Sequence, residues 1–438
     1  MIKIAFLGAG STVFSKNVLG DCLLTDSLKN IDIALYDIDA DRLEESYIVI
    51  SSINKTYNKG ATIKKYLGEE QRRDALRNAD FVINAVQIGG YDPCTITDFE
   101  IPKKYGLRQT IADTIGIGGI FRGLRTIPVM LDFVHDMEEV CPNAIFLNYT
   151  NPMAILTGAI LKVSSIKTVG LCHSVQVCAK SLLYSVGMED MYDDDVRWDI
   201  AGINHQAWLL SISKHGKDLY PEIKRRVREG KIKNKYNLVR LELMGIFGYY
   251  VTESSEHLSE YLPYFIKSRN PELIERFNIP LDEYPRRCVS QIENWNEQKK
   301  ELVDNPDLEH TRSNEYASRI IEAVVTNKPV KIGGNVLNKG LITNLPRNAC
   351  VEVPCVVDAS GIVPTFVGDL PEQLAALNRT NINPQLLTIE AALTKKKEKI
   401  YQAALLDPHT SAELTIDEII KMCDELIEAH GDWLPKYH

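Results

Sequence analysis

Ile2-Lys3-Ile4-Ala5-Phe6-Leu7 runs straight into Gly8-Ala9-Gly10-Ser11-Thr12, and helical periodicity follows from Phe14 to Leu24. A strand, a glycine turn and a helix start in that order admit few folds, because backbone N–H groups and the helix dipole then converge where a pyrophosphate can sit. Val13 stands where G-x-G-x-x-G has its third glycine, so the turn alone also suits a tight strand-to-helix connection with no ligand. The second strand, Ile31 to Tyr36, ends in Asp37. An acid at that tip accepts from ribose hydroxyls and repels a 2′-phosphate, which favours NAD over NADP; Asp39 is the competing residue. Gly8, Gly10, Ser11, Thr12 and Asp37 are the first candidate cofactor contacts.

Further apolar runs with polar tips follow: Asp80 to Val86 before Gln87-Ile88-Gly89-Gly90, Ile145 to Tyr149, and Thr168 to Cys172. Strands alternating with helical stretches such as Asp41 to Tyr57 predict an α/β fold with a Rossmann-type, doubly wound parallel sheet. Its ligands would lie at the carboxyl ends of the strands. Gln87 and Asn148 occupy such ends and join the candidate cofactor contacts. Cys172, His205 and the carboxamides of Asn148 and Asn151 lie on similar turns, where a thiolate, an imidazole and amides can hold one divalent metal and one polar small molecule. Cys and His also occur as ordinary buried residues. The glycines of Gln109 to Arg122 predict a mobile or closely approached loop over the cofactor, with Asp113 and Arg122 facing substrate or pairing locally. An acidic stretch from Asp190 to Asp195 marks the expected seam between an NAD-binding domain, residues 1–194, and an α/β substrate, metal and oligomerisation domain, residues 195–438.

A net charge of −9 without a basic stripe offers nothing to nucleic acid or to an anionic membrane. Lys395-Lys396-Lys397 reads as a solvated helix face, within a helix expected from Pro371 to about Ala404 and ahead of another from Asp417 to Ala429. Nine dispersed cysteines without a C-x-x-C pair suit a reducing cytoplasm better than a disulfide framework. The opening residues leave no room for a signal peptide, and no run approaches the roughly 18 apolar residues of a membrane span.

Taken together, FLGAGST, QIGGYDPCT, QTIADTIGIGGI, LNYTNPMA, GLCHSVQ, AGINH, VTESSEH and AHGDWLP occur in an order that resembles glycoside hydrolase family 4, and within it the MelA-type α-galactosidases. The resemblance implies a fold like the lactate and malate dehydrogenases, NAD and a divalent metal, usually Mn²⁺, as cofactors, and a homodimer or homotetramer. It also implies a hydrolysis unlike that of paired carboxylates: C3 of the sugar is oxidised, the C2 proton is removed, the C1 leaving group is eliminated, water adds, and the ketone is reduced again. On this resemblance Cys172 and His205 match the metal ligands and Asn151 binds substrate nearby. His173 stands where the phosphoglycosidases have an aspartate as leaving-group acid, a change that points to unphosphorylated sugars. The C2 base is Tyr261 by residue type, with Glu256 and His257 matching the position about as well. Arg287 is either a contact for sugar hydroxyls or a structural ion pair.

The implied substrate is a small α-galactoside such as melibiose. An α-galacturonide differs from it only at C6 and is the nearest alternative. A hydroxy-acid dehydrogenase of the same fold class would give Cys172 and His205 no role, and an inactive NAD-binding sensor would have no need of both ligands.

Overall fold

The computed structural model describes residues 1–58, 60–305 and 308–438. Six strands, β1 (Ile2–Leu7), β2 (Ile31–Asp37), β3 (Thr62–Leu67), β4 (Phe81–Asn84), β5 (Ile145–Asn148) and β6 (Lys167–Gly170), pair in parallel in the order β3-β2-β1-β4-β5-β6. Successive residues of β1 bury on opposite sides. Ile4 and Phe6 join one apolar core and Ala5 and Leu7 the other, as a parallel sheet covered by helices on both faces requires. The chain reverses its direction of winding between β1 and β4, so the crevice beyond their carboxyl ends is where such a sheet binds its ligand.

Seven more strands extend the same sheet: β7 (Val196–Ile203), β8 (Gln206–Lys214), β9 (Lys217–Asp218), β10 (Tyr250–Val251), β11 (Val330–Leu337), β12 (Cys350–Asp358) and β13 (Gly361–Pro364). Here the pairing is antiparallel. β11 joins β6, and the order continues β12-β7-β8-β10, with β13 beside β12 and β9 beside β8. One continuous sheet therefore carries the tips of β1, β4, β5 and β6 and the hairpin between β7 and β8. The expected α/β, Rossmann-type architecture is present, with an antiparallel extension.

Two local expectations are corrected. The glycines after Ile115 open a long helix, Gly116–Val140, and do not form a loop. A Cβ on Gly118 would stand 2.6 Å from the Ala112 carbonyl oxygen, and one on Gly119 2.6 Å from the Thr114 carbonyl carbon. The glycines thus let the helix start press against its own preceding segment. Lys395-Lys396-Lys397 is a break between helices: Lys395 takes φ +59° as helix Glu372–Thr394 ends, and Lys397 opens the next. Backbone bonds from His438 N to the Lys395 carbonyl and from Lys397 N to the His438 carbonyl clamp that break to the last residue. No helix among the described residues is long and apolar enough to cross a membrane.

Candidate active site

The cofactor end of the site is built first by the turn after β1. Gly8 has φ +83°, and a Cβ there would lie 2.9 Å from the backbone of Ala85 and Val86 beyond β4, so the turn passes too close for a side chain. Gly8 N and Ala9 N both donate to the Tyr36 carbonyl at 3.0 Å. Asp37 accepts from Gly10 N at 2.6 Å, from Ile38 N at 2.8 Å and from Asp39 N at 3.0 Å, and so holds the glycine turn against the tip of β2. Ser11 is exposed at the start of helix Thr12–Leu23, whose N-terminus has no side-chain cap. Its first N–H groups are left for an anion.

The other expected cofactor contacts fall differently. Asp39 accepts from Asp41 N and Arg42 N and is the cap of helix Ala40–Ile53. Thr12 is buried, with its hydroxyl against Ser46 Oγ at 2.9 Å, so only its backbone faces the turn. Asn148 is fully buried, accepts from Asn84 Nδ2 and Thr150 N, and donates to the Thr150 carbonyl and Thr157 Oγ1. Its side chain is engaged in joining the strand tips. Gln87 stays exposed beyond β4.

At the opposite side three chain segments deliver possible metal ligands. Cys172 follows β6 by two residues. Tyr316 donates its hydroxyl to the Cys172 and Gly333 carbonyls at 3.2 Å each, and Ser174 Oγ lies 3.1 Å from Sγ. His205 is the second residue of the two-residue turn between β7 and β8, at φ +62°. Glu253 leaves the end of β10 at φ +65°, just after Thr252 N bonds to the Ala207 carbonyl. Left-handed backbone at two non-glycine residues is costly and gathers where a site over-determines it. One ligand atom from each of Cys172, His205 and Glu253 lies within 4.8 Å of the others. That is close to what one ion with bonds of about 2.0–2.3 Å spans.

The surroundings set the charge states. Burial, with His257 beside it, pushes the His205 imidazole down to about 4, so it is neutral and fit to ligate near pH 7. Burial raises the Cys172 thiol well above its ordinary value, and the charges of Glu253 and Glu352 raise it further. Burial also works against the Glu253 carboxylate, but His205 and His257 together hold it below the usual range. Asp113 follows the same pattern, held down by His257, Arg122 and His205.

His257 and Tyr261 both reach this cluster from the short helix Ser255–Tyr261, which Ser254 caps by accepting from His257 N. The His257 ring lies 4.5 Å from the His205 ring, and its Nε2 lies 3.7 Å from Glu253. The Tyr261 hydroxyl lies 3.1 Å from His205 Nδ1, leaving Nε2 for a metal. Glu260, on the same helix, collects the N–H groups of Thr110, Ile111 and Ala112 and so fixes the segment that brings in Asp113. Asn151 donates to Asp113 at 3.3 Å, and its carbonyl accepts from Arg122, whose guanidinium also reaches the Tyr284 hydroxyl at 3.4 Å.

Three expected residues stand at the edge. The His173 side chain is 58% exposed, with Nδ1 3.9 Å from Glu315. Glu256 pairs with Arg287 at 3.1 Å, and Arg287 pairs with Glu283 at 2.9 Å. These ion pairs engage Glu256, and it is not among the residues whose ligand atoms converge. Arg287 thus makes the ion pairs that were one of its two expected roles. Glu253 was not singled out from the sequence. It lay among several acids and bases of one run, and the left-handed turn that aims it leaves no mark in spacing.

Two family models match the chain, that of family 4 glycosyl hydrolases over residues 3–188 and that of the family 4 C-terminal domain over residues 200–410. The chain is 63% identical to an α-galactosidase of Bacillus subtilis over 437 residues, covering 100% of both proteins. It is 28% identical to an α-galacturonidase of Thermoanaerobacter italicus, over 99% of this chain and 97% of the relative. Among solved structures, a 6-phospho-α-glucosidase from gut microorganisms in complex with NAD and Mn²⁺ covers all of both chains at a TM-score of 0.82 and 20% identity.

Proposed function

We propose for this chain, which belongs to family 4 of the glycosyl hydrolases, the hydrolysis of small α-galactosides such as melibiose with NAD and a divalent cation, Mn²⁺ first, as cofactors. The convergence of Cys172, His205 and Glu253, on the sheet whose first strand ends in the glycine turn, carries this reading. Thiolate, imidazole and carboxylate form a donor set that suits a first-row divalent ion, and the tight Gly8 turn together with the uncapped helix start suits a dinucleotide. The galactoside is supported by the 63% identical relative named for it, and the cofactors by the NAD and Mn²⁺ of a structural neighbour.

When bound, NAD⁺ would supply a reversible hydride acceptor for sugar C3, and the cation would supply the Lewis acidity that makes the C2 proton acidic. The protein's own groups do the rest. Cys172, His205 and Glu253 hold the cation. His205 would hold the cation through Nε2, and its Nδ1–H would then donate to the Tyr261 oxygen, stabilising the phenolate so that Tyr261 can take the C2 proton. His257 packs against His205 and is the second candidate for that proton. Asn151, oriented by Asp113, offers an amide oxygen that has no protein partner to a sugar hydroxyl. His173, exposed next to Cys172, passes a proton to the leaving group. Water then adds at C1, and the sugar is reduced again.

Nine free cysteines, all buried, support a reducing, cytoplasmic setting. Two or four copies are the expected assembly, to be read by sedimentation. Turnover of 4-nitrophenyl α-galactoside and of the matching α-galacturonide, each with and without Mn²⁺ and NAD⁺, tests the function. The expected result is galactoside hydrolysis that needs both cofactors and releases no NADH. Turnover without them would overturn the reading. Preference for the uronide would move the substrate to that of the 28% identical relative.

A further inference from the structure

A fourth carboxyl, Glu352, lies beneath the ligand cluster. Strand register places it in a row across the sheet: Gly202 on β7 faces Glu352 on β12, Glu352 faces Asn335 on β11, and Asn335 faces Gly170 on β6. Gly170 is two residues before Cys172, and Gly202 is three before His205. Glu352 thus sits in the middle strands between the two arms that deliver the ligands.

Its hydrogen bonds follow the row. Asn335 Nδ2 donates to Glu352 Oε1 at 2.9 Å and to the Gly170 carbonyl at 3.3 Å. On the other side Gly202, which pairs with Glu352, leads two residues on to Asn204, the neighbour of His205. Both Asn204 amide atoms and Glu352 Oε2 are buried without a partner. Glu352 is 1% exposed, and among the described residues no lysine, arginine or histidine forms an ion pair with it. A buried carboxylate without a cation is expensive, and burial accordingly pushes the Glu352 carboxyl up to about 7. A divalent ion held by Cys172, His205 and Glu253 would be its missing counter-charge.

We propose that Glu352 is a positioning residue for the metal: through Asn335 it ties down the Cys172 arm, it lies across from Gly202 on the strand that leads to His205, and it supplies the buried negative charge that balances the bound cation. This rests on the metal-dependent reading above. Groups that support ligands from behind typically contribute about 10–100-fold to metal affinity.

Glu352→Gln keeps the shape and one acceptor but removes the charge. Free Mn²⁺ counted by electron paramagnetic resonance gives the affinity without any assay of activity, and Co²⁺ in place of Mn²⁺ gives a sulfur-to-metal absorption band that reports Cys172. The expected result is Mn²⁺ affinity about 10–100-fold weaker, the Co²⁺ band present at saturating metal, and a metal-free Tm equal to or above that of the wild type. Glu352→Asp, which keeps the charge on a shorter arm, should recover part of the affinity. Equal Mn²⁺ affinity in the wild type and Glu352→Gln would overturn the proposal, as would a lowered metal-free Tm that accounts for the whole loss. A wild type that binds no Mn²⁺ would instead refute the metal-dependent reading.

Discussion

In a Cys172→Ser variant, Mn²⁺ affinity falls by at least about 100-fold, more than the loss of a supporting group. Turnover falls with it, by roughly 10³ or more, because a Lewis acid at the reacting oxygens contributes on the order of several kcal/mol and each 1.36 kcal/mol is about tenfold in rate. The residue is small and buried, so exchanging sulfur for oxygen changes the donor far more than the packing. The pH dependence adds a second signature. Burial raises the Cys172 thiol well above its ordinary value, so the metal must displace a proton to gain the thiolate. Wild-type Mn²⁺ affinity therefore rises with pH across the neutral range, and in Cys172→Ser that slope shrinks. Affinity measured at several pH values checks both points; full activity with unchanged metal binding would remove Cys172 from the site.

Tyr261→Phe keeps the buried ring and deletes the hydroxyl next to His205 Nδ1. A positioned base contributes about 10²–10⁴-fold, so kcat at saturating Mn²⁺ should drop in that range, while loss of the hydroxyl that bonds His205 Nδ1 weakens Mn²⁺ affinity by no more than about 10–100-fold. Without a metal the phenol is a poor base, since burial, together with the charges of Asp113, Glu260 and Glu253, raises it well above its ordinary value. Its use as a base depends on the cation acting through His205. Steady-state kinetics and metal titration separate the two effects. If kcat changes only a few-fold, the proton goes elsewhere, and His257, 4.5 Å from His205 between ring centres, is the next residue to change.

The parts legible in the sequence were those where local chemistry and topology agree. A strand, Gly8-Ala9-Gly10 and a helix start have one common use, and the polar tips of β4, β5 and β6 lie at the ends such a sheet exposes. Cys172 and His205 stood out as chemically loaded residues at turns. What stayed hidden depended on backbone angles and long-range contacts. Glu253 becomes a ligand candidate through φ +65° after a two-residue strand, and Glu352 gains its place only from the register of four strands. Thr12 and Asn148 have the right types at the right tips, yet their side chains are spent on Ser46 and on Asn84, Thr150 and Thr157. The glycines at Gly116 to Gly119 looked like a loop because their close contact is with the segment just before them. That contact appears only once the helix is packed.

Hydrolysis of an α-galactoside labelled with deuterium at C2 tests the central claim most directly. Abstraction of that proton by a protein group, followed by water addition and reprotonation, predicts that deuterium passes into the solvent and that galactose leaves with hydrogen at C2. Product that keeps its full C2 label after complete turnover would contradict the account, whatever metal and dinucleotide the protein binds.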